Sequence, residues 1–145
     1  MTTVAIVQAR MSSSRLPGKV LAPIDGTPMI VQQLRRLERS RQIDRIVVAT
    51  STDATDDPLL KVLEVSGYSV ARGPSNDVLE RFRLVVETEQ PDVVVRITAD
   101  CPLISPTVTD DVIEAFLAAR VDYASNTLDP TYPDGLDVEV VTPSA

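Results

Sequence analysis

Arg10, Arg15 and Lys19 fall within one short stretch, QARMSSSRLPGKVL at residues 8 to 21, interleaved with Ser12, Ser13 and Ser14. A Pro17-Gly18 pair bends the chain between Arg15 and Lys19. Fixed cations, hydroxyls and backbone N–H groups gathered in one loop suit an anion with several negative oxygens, such as a nucleoside triphosphate. The same composition also describes an exposed polar loop whose charges keep it soluble. Position favours binding. The stretch directly follows Val4-Ala5-Ile6-Val7, an apolar run with the composition of a buried strand. Ligands of open α/β sheets sit beyond the carboxyl ends of such strands. The two commonest phosphate cradles are excluded by spacing. Lys19 is followed by Val20 where a Walker A loop needs Ser or Thr, and the spaced glycines of a dinucleotide fingerprint are missing.

The rest of the composition narrows the chemistry further. The 145 residues contain no histidine, which removes Ser-His and Cys-His nucleophiles, histidine bases and ordinary histidine zinc sites. Carboxylates, Lys, Arg and bound metal remain. The one cysteine, Cys101, forms no internal disulfide and suits a reducing cytoplasm. Without a histidine to activate it, Cys101 reads as a small packing residue rather than a nucleophile. A formal net charge of −7 argues against nucleic acid as a partner and makes the cationic loop stand out. No apolar run reaches membrane-spanning length, and the N-terminus lacks the basic-then-apolar layout of a secretory signal. These features predict a cytoplasmic protein with no membrane partner.

The elements that must position the loop follow from periodicity. Asp25-Gly26 marks a turn, and Pro28 opens a helix whose Ile30, Leu34 and Leu37 form one apolar stripe. Arg35, Arg36, Arg39 and Arg41 fit the solvated face and C-terminal end of that helix. Ile46 to Ala49 reads as a second strand, Leu59, Leu60 and Leu63 as a helix stopped at Gly67, and Tyr68 to Ala71 as a third strand. Asn76 or Asp77 can cap the next helix, whose Val78, Leu79, Phe82, Val85 and Val86 make a wide apolar stripe. Val93 to Ile97 is the fourth strand. Ser105 and Pro106 start a helix that turns Val108, Val112, Ile113, Phe116 and Leu117 inward. Asp122 to Ser125 is a weak fifth strand, and Leu136 to Val141 alternates like a strand with one wet face. Strand and helix alternate, so the expected fold is α/β: a mainly parallel sheet with helices on both faces.

In such a sheet the fourth strand ends on the same edge as the first. Asp100, in Thr98-Ala99-Asp100, is then expected to look towards Arg10, Arg15 and Lys19. It can pair with one of those cations, or it can hold Mg²⁺, which takes one or two carboxylates together with phosphate oxygens and water. Both readings stay open. Asp137 and Glu139 share one strand face, with Val138 and Val140 on the other.

The first motif resembles that of the CMP-sugar synthetases, the cytidylyltransferases that activate 3-deoxy-manno-octulosonic acid and sialic acids. Those enzymes show Ala-Arg, a Ser-rich spacer, Arg-Leu-Pro-Gly-Lys and then Leu. Together with Asp77-Val78-Leu79-Glu80-Arg81-Phe82, RITADCPLI at 96 to 104 and YPDGLDVEVV at 132 to 141, the chain is most similar to the branch labelled spore coat polysaccharide biosynthesis protein F. The resemblance implies a three-layer α/β/α nucleotide-diphospho-sugar transferase (Rossmann-like) fold. Within it, residues 1–145 would form the N-terminal part of a longer, here C-terminally truncated, nucleotidyltransferase unit. It implies transfer of CMP from CTP to a sugar or sugar acid with release of pyrophosphate, dependent on Mg²⁺, and it allows a homodimer. Carried over by position, Ala9 and Arg10 border the nucleotide with Ser12 to Ser14, Arg15 and Lys19 neutralise the triphosphate, and Asp100 binds metal. Asp77 and Arg81 fall on the substrate side, and Asp137 and Glu139 face either the acceptor sugar or, as an exposed edge strand, solvent. The octulosonate enzymes carry Gln-Gly-Asp where this chain has Thr98-Ala99-Asp100 and Ser-Gly-Thr where it has Asp77-Val78-Leu79. Two other functions fit the same residues: a non-catalytic nucleotide-binding module, and a glycosyltransferase-like relative using another nucleotide or nucleotide-sugar.

Overall fold

A computed structural model describes residues 1–145. The strands are β1 (Thr3–Gln8), β2 (Pro23–Ile24), β3 (Thr27–Pro28), β4 (Arg45–Ser51), β5 (Ser69–Gly73), β6 (Val93–Thr98), β7 (Tyr123–Ser125) and β8 (Glu139–Val141). The helices are α1 (Met29–Leu37), α2 (Asp57–Val65), α3 (Val78–Glu89) and α4 (Pro106–Ala119). Six strands form one sheet in the order β5-β4-β1-β6-β8-β7. The segment β5-β4-β1-β6 is parallel, whereas β8 runs antiparallel to β6 and β7 antiparallel to β8. The sheet is therefore mixed at one edge and parallel where β1 and β6 deliver their C-terminal loops side by side.

Helix and strand boundaries follow local chemistry. Asp77 accepts a hydrogen bond from the Glu80 amide, and Ser105 accepts one from the Val108 amide, so both cap their helices. The Asp25-Gly26 turn closes the β2–β3 hairpin with both residues at positive φ, +49° and +74°, the backbone a two-residue hairpin turn needs. Pro28 ends that hairpin and immediately precedes α1. The last strand is shorter than the alternation of residues 136 to 141 suggests, beginning only at Glu139.

The core has two unequal halves. Ala5, Val7, Val95 and Ile97 on one sheet face pack with Ile30, Leu34 and Leu37 of α1, Leu59 and Leu63 of α2, and Ile113 and Phe116 of α4. On the other face Val4, Ile6, Val47, Ala49 and Val94 meet Val85 of α3. Helices do cover both faces, three against one. Because α3 rests over β4, β5 and β1, the wide stripe expected on it is only partly buried. Val78 and Leu79 are exposed, and with Phe82, Val86, Val94 and Val141 they line an apolar groove beside the edge strands. No helix is long and apolar enough to cross a membrane.

Candidate active site at the carboxyl edge of the sheet

The β1 strand runs out through Ala9, whose amide donates to the Ala49 carbonyl of β4 at 3.0 Å and which is 2 % exposed. Beyond it the loop is closed on itself by the Gly18 amide, which donates to the Met11 carbonyl at 2.8 Å. Gly18 sits at φ +72°, a conformation L side chains rarely adopt. The turn it makes leads into a single 3₁₀ turn, Lys19–Leu21. Val20 anchors that turn in the core while Lys19 points out of it.

Lys19 reaches across to the loop after β6. Its Nζ lies 2.9 Å from Asp100 Oδ2, both groups part-exposed. The ammonium hydrogen bond is the main cause that holds the Asp100 carboxyl below the usual aspartate range, although partial burial opposes it. The two loops are also joined at their roots, where the Ala99 amide donates to the Gln8 carbonyl at 3.1 Å. Ala9, Arg10, Ser12, Ser13, Ser14, Arg15, Lys19 and Asp100 all line one cleft of about 420 Å³, together with Gln8, Val20, Arg96, Thr98 and Ala99. A second recess opens from the same rim. It shares Arg15, Thr98 and Asp100 with the first and continues along Cys101 to Leu103 and Pro133 to Asp137.

Not every residue singled out in the sequence faces this cleft. Arg81 is 1 % exposed, and its Nη1 donates to the carbonyls of Pro74 (2.7 Å), Ser75 (3.1 Å) and Asp77 (3.4 Å). Asp77 is the cap of α3. Both therefore organise the turn between β5 and α3, outside the lining of the cleft. Glu139 is paired with Arg96 across the β6–β8 ladder and also accepts from the Tyr123 hydroxyl at 3.1 Å. Asp137 does line the second recess. Cys101 is 7 % exposed, and burial raises its thiol pKa, as a packing residue requires.

Three supporting residues were missed by periodicity alone. Gln33 stands on the buried stripe of α1, fully enclosed, and donates to the Thr98 carbonyl at 2.7 Å while accepting from the Cys101 amide at 3.3 Å. It thus grips the Asp100 loop on both sides. Arg36, in the helix's basic face, donates to the Ile104 carbonyl at 2.9 Å and holds the far end of the same loop. Gln33→Leu would leave that carbonyl and amide without their partner, so a loss of about 1–3 kcal/mol in folding stability is expected from denaturant unfolding.

Asp56 is the third. It is fully buried and follows β4, a segment with no obvious functional signature. Burial pushes its pKa up, but the Ser51 hydroxyl, the Met11 amide and Arg10 together outweigh that and hold the carboxyl below its ordinary 3.8. A carboxyl depressed in the folded state adds stability that is complete above the unfolded pKa and is lost as pH falls through the folded one. Thermal unfolding of the wild type is therefore expected to drop steeply below about pH 4, and less steeply in Asp56→Asn.

Comparison with known proteins bears on what this geometry is for. Residues 4–143 match the cytidylyltransferase family. The chain belongs to that family. Among curated relatives, spore coat polysaccharide biosynthesis protein SpsF of Bacillus subtilis (strain 168) is 38% identical over 122 residues, covering 81% of this chain and 51% of that protein. The 3-deoxy-manno-octulosonate cytidylyltransferase of Chlorobium phaeovibrioides (strain DSM 265 / 1930) is 38% identical over 136 residues, 92% of this chain and 53% of its own. Among solved structures, a cytidylyltransferase from Leptospira borgpetersenii serovar Hardjo-bovis (strain JB197) superposes with a TM-score of 0.93 at 35% identity, covering 99% of this chain and 61% of that one. The chain spans about half the length of the curated relatives it matches.

Proposed function

We propose that the protein transfers CMP from CTP to a hydroxyl of a sugar or sugar acid and releases pyrophosphate, in the biosynthesis of a cell-surface or spore coat polysaccharide. The observation that carries this reading is the convergence of the Lys19 loop and Asp100 on one cleft, bridged by a 2.9 Å ion pair. Family membership and the two named relatives support the choice of CTP and of a sugar acceptor. A cytoplasmic setting agrees with the single reduced cysteine.

The residues suit a divalent metal that arrives with the nucleotide. No group of three or more carboxylate, histidine or cysteine side chains is assembled to cage a cation, and Asp100 is the one carboxylate lining the phosphate cleft. Mg²⁺ accepts such a site, taking one carboxylate and completing its shell with phosphate oxygens and water. Bound there through Asp100, it would supply charge neutralisation at the phosphates. The chain's own residues do the rest. Lys19 and Arg15 face the oxygens on which negative charge grows as pyrophosphate departs, so their attraction is stronger in the transition state than in the ground state. The backbone and hydroxyls of Ser12 to Ser14 seat the polyphosphate. The second recess, with Asp137 on its wall, lies on the other side of Asp100 and would receive the acceptor.

Calorimetric titration with CTP, UTP, ATP and GTP, with and without Mg²⁺, followed by a pyrophosphate-release assay with candidate sugars, tests the proposal. CTP-preferring, metal-enhanced binding with release is expected. Binding without release points to a nucleotide-binding module, and preference for UTP or GTP to a glycosyltransferase-like activity. Either outcome overturns the cytidylyl-transfer reading.

A further inference from the structure

Arg10 lines the phosphate cleft, yet its guanidinium is already engaged from behind. Nη1 donates to the Ser75 carbonyl and Nη2 to the Ser75 hydroxyl, each at 2.8 Å, while Nε lies 3.4 Å from Asp56 Oδ2. Three of its N–H donors are used, and a hydrogen on each terminal nitrogen remains for a ligand. The next residue is held by the same acid: the Met11 amide donates to Asp56 Oδ1 at 2.7 Å. Ser51, at the end of β4, donates its hydroxyl to Oδ2 and fixes the carboxylate in turn. A fully buried carboxylate thus directs its side-chain hydrogen bonds to the first two residues of the loop proper and to the strand beneath them. Capping its own short turn cannot explain this, because that task falls to Asp53, whose side chain accepts from the Thr55 amide.

We propose that Asp56 is the positioning residue of the nucleotide loop, holding Arg10 and the Met11 amide in their binding arrangement before any triphosphate arrives. The proposal rests on the nucleotide reading of the cleft. Preorganisation of this kind removes an ordering cost from binding and therefore shows as affinity. Asparagine at this position retains an oxygen for Met11 but turns an N–H₂ towards Ser51 and Arg10, so Asp56→Asn selectively releases Arg10.

The test is a double-mutant cycle in the full chain, with the dissociation constant of CTP in Mg²⁺ as its readout. Asp56→Asn and Arg10→Ala are each expected to weaken binding about tenfold, the scale of one charge-assisted hydrogen bond. The double variant is expected to bind no more weakly than the worse single, because the two residues act as a unit. A second measurement needs no variant. In the nucleotide-free wild type, the Met11 amide is expected to exchange with solvent at least about a hundredfold more slowly than the amides of Ser12 to Ser14. Additive effects in the cycle, wild-type affinity in a folded Asp56→Asn, or Met11 exchange as fast as that of its serine neighbours each overturn the role of Asp56 while leaving the nucleotide site standing. A wild type that binds no nucleotide at all removes both.

Discussion

Lys19→Ala is expected to lower turnover roughly a hundredfold, equivalent to about 3 kcal/mol of lost transition-state stabilisation. The size follows from where the ammonium sits. Lys19 is held at the cleft rim by a turn whose neighbour Val20 is 2 % exposed, so the charge is preplaced and needs little reorganisation. In the free protein it faces Asp100 at 2.9 Å. An incoming triphosphate offers more negative charge than one carboxylate, and in the proposed reaction charge builds on its β- and γ-phosphate oxygens as the bond to the α-phosphorus breaks, so the attraction grows along the reaction. Affinity for CTP is expected to fall by a smaller factor than kcat, because the ground state makes less use of the charge. Initial-rate measurements at saturating CTP and metal check this. An unchanged kcat would remove Lys19 from the chemistry.

Asp100→Asn is expected to have an effect of similar size with a different signature. Loss of the carboxylate removes the proposed protein ligand to Mg²⁺, and kcat is expected to fall on the order of a hundredfold, with half-saturation shifted to higher metal concentration. Nucleotide binding without metal should hold or improve slightly, since a negative charge facing the polyphosphate has gone. Lys19→Ala acts in the opposite direction on that same quantity. Calorimetry of metal-free CTP binding therefore separates the two residues even though both variants are slow. If both weaken metal-free binding equally, Asp100 serves only to orient Lys19.

These expectations depend on a site that was partly legible in the residue order. The cationic loop and Asp100 could be placed on one rim because parallel strands fix the edge at which their C-terminal loops emerge. Arg81 and Glu139 were harder. A charged side chain at a given position in a helix or strand has the same local signature whether it meets a ligand or a carbonyl of its own chain. Arg81 turned out to aim its Nη1 at the carbonyls of the turn at residues 74 to 77, and Glu139 to neutralise Arg96. Gln33 was hidden for the converse reason. A polar residue on an otherwise apolar helix stripe has no periodic signature, and only the Thr98 carbonyl and Cys101 amide against it reveal its task.

The order of apolar and polar residues by itself determined the alternation of strands and helices, the cap at Ser105 and a cap at either Asn76 or Asp77, the turn at Asp25-Gly26 and the gathering of Arg10, Arg15 and Lys19 in one loop. All of these are settled within a few neighbouring residues, by side-chain periodicity, backbone preference and charge. The tertiary structure alone decided that three helices cover one face and α3 the other, that β7 and β8 turn antiparallel, and that Asp56 and Ser75 lock Arg10 in place. Arg10 lies 46 residues from Asp56 and 65 from Ser75, and Lys19 lies 81 from Asp100. Contacts across such separations are selected by how whole elements pack, because a buried charge persists only where the completed fold supplies its partners.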